Sequence, residues 1–240
     1  MIKINQTDEI NAEAMYSQLM KRRSTATRFR LPYTPKQVYD MLYQACKVEV
    51  ERRYRRFNDT EEYKKHLCDI ARWLTSDDST FGLFLCGGAG NGKTTILLAL
   101  QNLINYLRSD EIRREDAPNR GYTFISAKEL VLLAKAYNSR TRENEYEVYR
   151  YKKVYNAEIL AIDDLGLEPK ESVSYGDFVT AAMDIISYRY DKQLCTFVTS
   201  NLAAADIARY YDERIADRFR EMMCIINFGK EPSFRKTNTK

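Results

Sequence analysis

An α/β protein built on a five-stranded parallel sheet is what the sequence predicts, and three apolar runs carry most of the weight. Leu83–Cys86 runs into a glycine-rich turn, Ile159–Ile162 into Asp163-Asp164-Leu165-Gly166, and Leu194–Val198 into Thr199-Ser200-Asn201. Each run is short, β-branched or aromatic, and followed by a helical pattern, which is the alternation that gives parallel sheets. Tyr122–Ile125 and Cys224–Phe228 supply the remaining two strands. Open parallel sheets place their chemistry at the carboxyl ends of such strands, where the glycines, the paired acids and the Thr-Ser-Asn stand.

Composition narrows the class. At 240 residues the chain can build one good core plus an appendage. With 44% hydrophobic and 30% charged residues it is too apolar for a disordered chain. No apolar run approaches the roughly eighteen residues of a membrane span, and the first residues carry no secretory core, so no membrane partner is expected. Five cysteines, at positions 46, 68, 86, 195 and 224, are odd in number and scattered, with no C-x-x-C. Reduced thiols and a cytoplasmic setting follow. The net charge of +4, from 38 basic and 34 acidic residues, admits nucleic acid as a partner without requiring it.

Two regions are expected: residues 1–58, helical and basic, suited to binding a partner, and residues 59–240, carrying the sheet. Residues 1–35 are weakly patterned; Lys21–Arg30 is either a basic arm for nucleic acid or a solvated linker. Thr34-Pro35 has the form of an N-cap followed by proline at the first helical position, opening a helix to about Arg56. Its end, Arg52-Arg53-Tyr54-Arg55-Arg56, is either a cationic helix terminus or a surface on which a base stacks. Thr60 caps the next helix, with Leu67, Ile70, Ala71 and Leu74 on its core face. His66, the one histidine, has no Cys or Asp partner in pattern and receives no role. Further helices are expected after Gly92, from Ser126, over 175–190 and over 206–222; the charged stretch 138–156 is either a surface helix or a nucleic-acid contact.

The glycine-rich turn fits G-x-x-x-x-G-K-[ST] beginning at Gly87, and five of the chain's nine glycines lie between Gly82 and Gly92. Strand, loop and helix together form the context of a phosphate-binding loop. Successive backbone N–H groups of Gly87, Gly88, Ala89, Gly90, Asn91 and Gly92, with the N-terminus of the helix holding Lys93, Thr94 and Thr95, make an anion cradle. Lys93 is then the cation for the β- and γ-phosphates of ATP and Thr94 a ligand of Mg²⁺. Asp163, sixty-nine residues beyond Thr94, belongs to the Mg²⁺ shell, and Asp164 orients or deprotonates the attacking water. Asn201 either orients that water or caps the following helix.

The motifs Gly87–Thr94, Ile162-Asp163-Asp164-Leu165-Gly166 and Thr199-Ser200-Asn201, in this order, resemble those of AAA+ ATPases, and among them the helicase-loader and transposition-accessory group of DnaC, DnaI and IstB. The resemblance covers about residues 60 to 240. It implies ATP and Mg²⁺ as cofactors, self-oligomerisation in the ATP-bound state, and single-stranded DNA with a replicative helicase as partners. In the IstB-like alternative the partner is a transposase; a small-molecule kinase is the remaining one. The segment Asp212–Phe219 is similar to the group's arginine-bearing helix, which makes Arg218 a finger reaching a neighbour's ATP. Ser233-Phe234-Arg235 resembles the group's S-x-R ending, with Arg235 on the nucleotide. About a dozen residues follow Phe228, too few for the full C-terminal helical lid of other AAA+ proteins.

Overall fold

A computed structural model describes residues 11–21, 28–108, 122–139, 144–168, 177–229 and 233–234. The sheet has five parallel strands: β1 (Gly82–Cys86), β2 (Thr123–Ser126), β3 (Ile159–Leu165), β4 (Cys195–Ser200) and β5 (Met223–Asn227). Their order across the sheet is β2-β3-β4-β1-β5. All five expected strands are present, four of them within a residue or so of their expected bounds, while β3 continues three residues past Ile162 through both acids to Leu165. β1 is an inner strand next to the edge strand β5, pairing Leu83 with Phe197 on one side and with Cys224 on the other. The chain leaves β1 for the far edge and returns strand by strand, so the ends of β1, β3 and β4 converge.

Strand alternation sorts the core into two halves. Leu83, Leu85, Ala161 and Phe197 face a cluster with α2 (Pro35–Glu51), α3 (Glu61–Thr75) and α4 (Lys93–Leu107). Phe84, Cys86, Leu160, Ile162 and Val198 face the other, made with α5 (Ala127–Ser139), α6 (Glu145–Tyr155), α7 (Asp177–Lys192) and α9 (Glu213–Met222). Val38, Leu42 and Cys46 of α2, within the expected N-terminal region, are buried in the first cluster. By contrast α1 (Ala12–Lys21), which the weak patterning did not announce, buries none of its residues.

Local chemistry sets the helix ends. Thr34 and Gln37 form a capping box ahead of Pro35. Thr60 Oγ1 accepts from Tyr63 N at 3.2 Å, and Ser126 Oγ from Glu129 N at 3.2 Å, as their positions predicted. Two expectations change. The helix from Pro35 stops at Glu51 rather than Arg56, because Tyr54 takes a left-handed φ of 55° and turns the chain. Tyr54 N donates to Glu51 O at 2.9 Å and Arg55 N to Val50 O at 3.4 Å, the paired closure of a Schellman motif. The stretch expected as one helix over 206–222 is broken into α8 (Ile207–Tyr210) and α9, since Asp212 Oδ1 accepts from Ile215 N at 2.7 Å and starts a new helix. Of the basic stretch Lys21–Arg30, residues 22–27 lie outside the described ones. Arg30 is docked: its guanidinium donates to the carbonyls of Asp78 and Thr80 at 2.8 Å each and stacks over Trp73.

Candidate functional site

The loop between β1 and α4 is shaped by backbone that side chains would obstruct. Gly90 has φ of 89°, and a Cβ there would stand 2.0 Å from Ser233 Oγ. Gly92, at φ 90°, is the N-cap of α4, and a Cβ would meet Tyr63 at 3.0 Å. The C-terminal segment straps the loop: Gly88 N donates to Gly229 O at 3.0 Å, and Phe234 N to Gly90 O at 3.1 Å. Lys93 is 5% exposed and donates to Gly87 O at 2.8 Å and to Gly88 O, so its ammonium lies back over its own loop.

β4 holds the acidic end of β3. Thr199 Oγ1 donates to Asp163 Oδ1 at 2.6 Å and accepts from Asp164 N at 2.8 Å. Thr94 Oγ1 donates to the same Asp163 Oδ1 at 3.0 Å. The carboxyl of Asp163 is 8% exposed; burial pushes its pKa up and Asp164 adds to that, while the two hydroxyls pull it back. Successive strand residues normally face opposite sides. Here the β3–β4 register shifts between Ile162 and Leu165, and Asp164 adopts a left-handed φ of 57°. With that irregularity both acids line one cavity. A non-glycine residue in this region is strained, and such strain gathers at functional sites.

The cavity has a volume of about 390 Å³. Ala89, Gly90, Gly92, Lys93, Thr94, Thr95, Asp163, Asp164 and Asn201 line it, so the sequence-predicted residues from three strand ends converge there. Asn201 caps no helix, since Ala203 and Asp206 stand at the N-caps that follow. Gly87 and Gly88 lie behind, as acceptors of Lys93. Asn91 is fully buried, and neither atom of its amide has a hydrogen-bond partner among the described residues. Arg218 is elsewhere: its side chain is 14% exposed, it donates to Ser187 Oγ, and it lies 3.9 Å from Asp191 and 5.3 Å from the centre of the Tyr190 ring. Arg235 lies outside the described residues. His66 packs on Phe228 with ring centres 4.2 Å apart and is not among the cavity's lining residues.

Other lining residues were not foreseen as such. Arg53, Arg55, Arg56, Phe57 and Asn58 follow α2, Tyr63 comes from α3, and Phe234 from the strap. The basic run was visible in the sequence, but its place beside the loop depends on how α2 docks.

The residues fit the groups that the loop implies. The cradle, the orphaned Asn91 amide and the cationic lining suit a polyphosphate. Thr94 and Asp163 offer hard oxygen donors side by side, as Mg²⁺ prefers. Among the described residues no cluster of three His, Cys, Asp or Glu side chains offers a metal cage.

No family model matches the sequence, and no curated protein does. Solved structures do match in fold. The DnaC helicase loader is similar with a TM-score of 0.54 and 22% identity, over 71% of this chain and 92% of that one. DnaI follows with a TM-score of 0.50 and 22% identity, over 71% of this chain and 87% of that one. AMPPCP-bound DnaA from Aquifex aeolicus gives 0.50 and 16%, over 75% of this chain and 50% of that one. The chain therefore shares the five-stranded α/β fold of the DnaC and DnaI structures.

Proposed function

We propose that this protein binds and hydrolyses Mg·ATP and acts in DNA replication as a loader of a replicative helicase, self-assembling when ATP is bound and engaging single-stranded DNA. The observation that carries the ATPase reading is the 3.0 Å contact of Thr94 Oγ1 with Asp163 Oδ1, which joins the phosphate-binding loop to the acidic strand end. The loader reading is supported by the likeness in fold to DnaC and DnaI.

In this reading the loop amides and Lys93 hold the phosphates, and Lys93 turns from its own carbonyls to do so. Thr94 and Asp163 would hold Mg²⁺, whose contribution is to neutralise charge on the transferring phosphoryl oxygens. Asp164 accepts a proton from, or aligns, the attacking water, and Asn201 from the neighbouring strand end fixes that water's orientation. Arg218 of an adjacent copy stabilises the equatorial oxygens, and Arg235 touches the nucleotide. Residues 59–240 are then the ATPase and residues 1–58 the partner-binding region, with Met15, Tyr16, Leu19 and Met20 of α1 exposed for a contact. The protein works in the cytoplasm.

The test is the ATPase rate against protein concentration, with and without single-stranded DNA, beside a pull-down that offers helicase and transposase. Hydrolysis raised by DNA, with capture of the helicase, is the expected result. Capture of a transposase would move the protein to the mobile-element reading, and absence of hydrolysis in every arm would overturn the ATPase.

A further inference from the structure

We propose that the turn after α2 is a second phosphate clamp from the same chain: Arg55 and Arg56 hold the polyphosphate of the nucleotide from outside the phosphate-binding loop. The inference rests on the nucleotide reading above and adds to it an anion site that the loop pattern does not contain.

Arg53, Arg55 and Arg56 line the same cavity as Lys93. Arg53 is committed to Glu49 at 3.6 Å, but the guanidinium groups of Arg55 and Arg56 have no hydrogen-bond or ion-pair partner among the described residues. The nearby carboxylates are already engaged. Glu49 takes Arg52, Arg53 and Asn102; Glu51 takes Lys47; Asp59 takes Tyr43 and Lys64. Four cationic side chains and two carboxylates line the cavity, an excess that a polyanion balances.

The turn is built to aim these arginines. Tyr54 is fully exposed and sits at φ 55°, a backbone conformation unfavourable for a bulky side chain. Reversing the chain at Tyr54 lets the residues on both sides of it line the cavity, while the tyrosine does not. The turn is also anchored to the loop's own helix. Glu49, 7% exposed, accepts from Asn102 Nδ2 of α4 at 2.6 Å and pairs with Arg53. A planar guanidinium with several donors suits phosphate oxygens. A strand of nucleic acid would also neutralise the pair. The cavity shared with Lys93 and Thr94 favours the nucleotide.

The test is titration of the full chain with a fluorescent ATP analogue in Mg²⁺ buffer. Arg55→Ala/Arg56→Ala should weaken binding about tenfold or more, the scale of one lost hydrogen bond to a charged group. Lys47→Ala/Arg52→Ala removes the same charge outside the cavity and should stay within about twofold, which separates contact from bulk electrostatics. Both double variants alter exposed side chains, and an unchanged melting temperature confirms that the fold is kept. Unchanged ATP affinity in Arg55→Ala/Arg56→Ala overturns the clamp; if single-stranded DNA binding is lost instead, the pair belongs to nucleic acid. Wild-type protein that fails to bind the analogue overturns the nucleotide reading, and the clamp with it.

Discussion

Thr199 donates its hydroxyl to Asp163 at 2.6 Å and accepts the backbone N–H of Asp164 at 2.8 Å, so one β4 side chain fixes both acids of β3. Thr199 is fully buried, and removing the hydroxyl orphans the Asp164 amide and leaves Asp163 Oδ1 with Thr94 alone. Thr199→Val should cost about 1–3 kcal/mol of stability, the penalty of a buried unsatisfied group. It should also lower hydrolysis more than ATP affinity, because the acids lose their alignment. Thr199→Ser keeps the hydroxyl and should recover most of the rate. Denaturant melts beside ATPase assays check both, and a serine variant as slow as the valine one would remove the positioning role.

Asp164 offers a clean separation of chemistry from fold. Its φ of 57° is a region that asparagine tolerates well, so Asp164→Asn preserves the backbone while removing the proposed base. The variant should bind Mg·ATP normally and hydrolyse it ~10²-fold more slowly, the scale of a lost general base. Asp163→Asn should instead weaken the dependence of binding on Mg²⁺. If both variants hydrolyse at the wild-type rate, the pair holds structure and not catalysis.

Much of this was legible in the sequence, and the parts that were not share a cause. Gly87–Thr94, Asp163-Asp164 and Thr199-Ser200-Asn201 each mark a strand end, and strand ends meet in a parallel sheet whatever the details of packing. Their meeting at one cavity therefore followed from local signals. Arg53–Asn58 and Phe234 could not be placed in this way. Their position depends on the docking of α2 against α4 and on a strap of chain crossing the loop, both long-range packing events with no local pattern. The break at Asp212 was legible in principle, since an Asp three residues before a helical N–H is a cap signal. The expectation of one helix over 206–222 passed over it. Tyr54 was hidden for the opposite reason: a tyrosine is an improbable left-handed residue, and glycine is the usual sign of that turn.

The strap itself is testable. Phe234 N donates to Gly90 O at 3.1 Å, and its ring meets Tyr63 edge-on with centres 5.8 Å apart. Phe234→Ala loses the ring pair, worth about 0.5–1.5 kcal/mol, and one wall of the cavity. ATP affinity should fall several-fold while the melting temperature moves by a few degrees. Affinity that is unchanged would leave the strap a packing feature.

The thiols report on the fold and on alkaline pH. Burial pushes Cys46 and Cys195 up to about 12 and raises Cys86. Thiolate is the reactive form, so at pH 8 these three should resist a thiol reagent until the protein unfolds. Half-buried Cys68 should react first, and Cys224 more slowly, because burial pushes its thiol up to about 11. The linkage has a definite sign. Above the ordinary thiol value of 9.0 the unfolded chain loses these protons while the folded one keeps them, up to about 12. Stability from this source is complete below pH 9 and declines as pH rises through that window. Rapid labelling of all five cysteines at pH 8 in native protein would contradict the buried placement.

Arg218 decides whether hydrolysis needs a second copy. Within one chain its guanidinium is occupied by Ser187, Asp191 and the face of Tyr190, all on α7, and it lines no part of the cavity at the strand ends. A finger role therefore requires an assembly in which α9 of one copy abuts the cavity of the next, and the guanidinium must exchange the Ser187 hydroxyl for phosphate oxygens. Phosphate oxygens would offer it an ion–ion hydrogen bond in place of the ion–neutral one to Ser187. Hydrolysis should then rise more steeply than linearly with protein concentration. Arg218→Ala should bind ATP normally and hydrolyse it ~10³-fold less, the low end for an arginine finger. Mixed with Lys93→Ala it should regain activity, since the lysine variant contributes a finger and the arginine variant an intact site. If Arg218 serves only to tie α9 to α7, the alanine variant loses stability instead, and Ser187→Ala loses part of the same stability. In that case specific activity is independent of concentration and the mixture stays inactive. The two outcomes differ in both melting temperature and complementation, so one set of samples separates them.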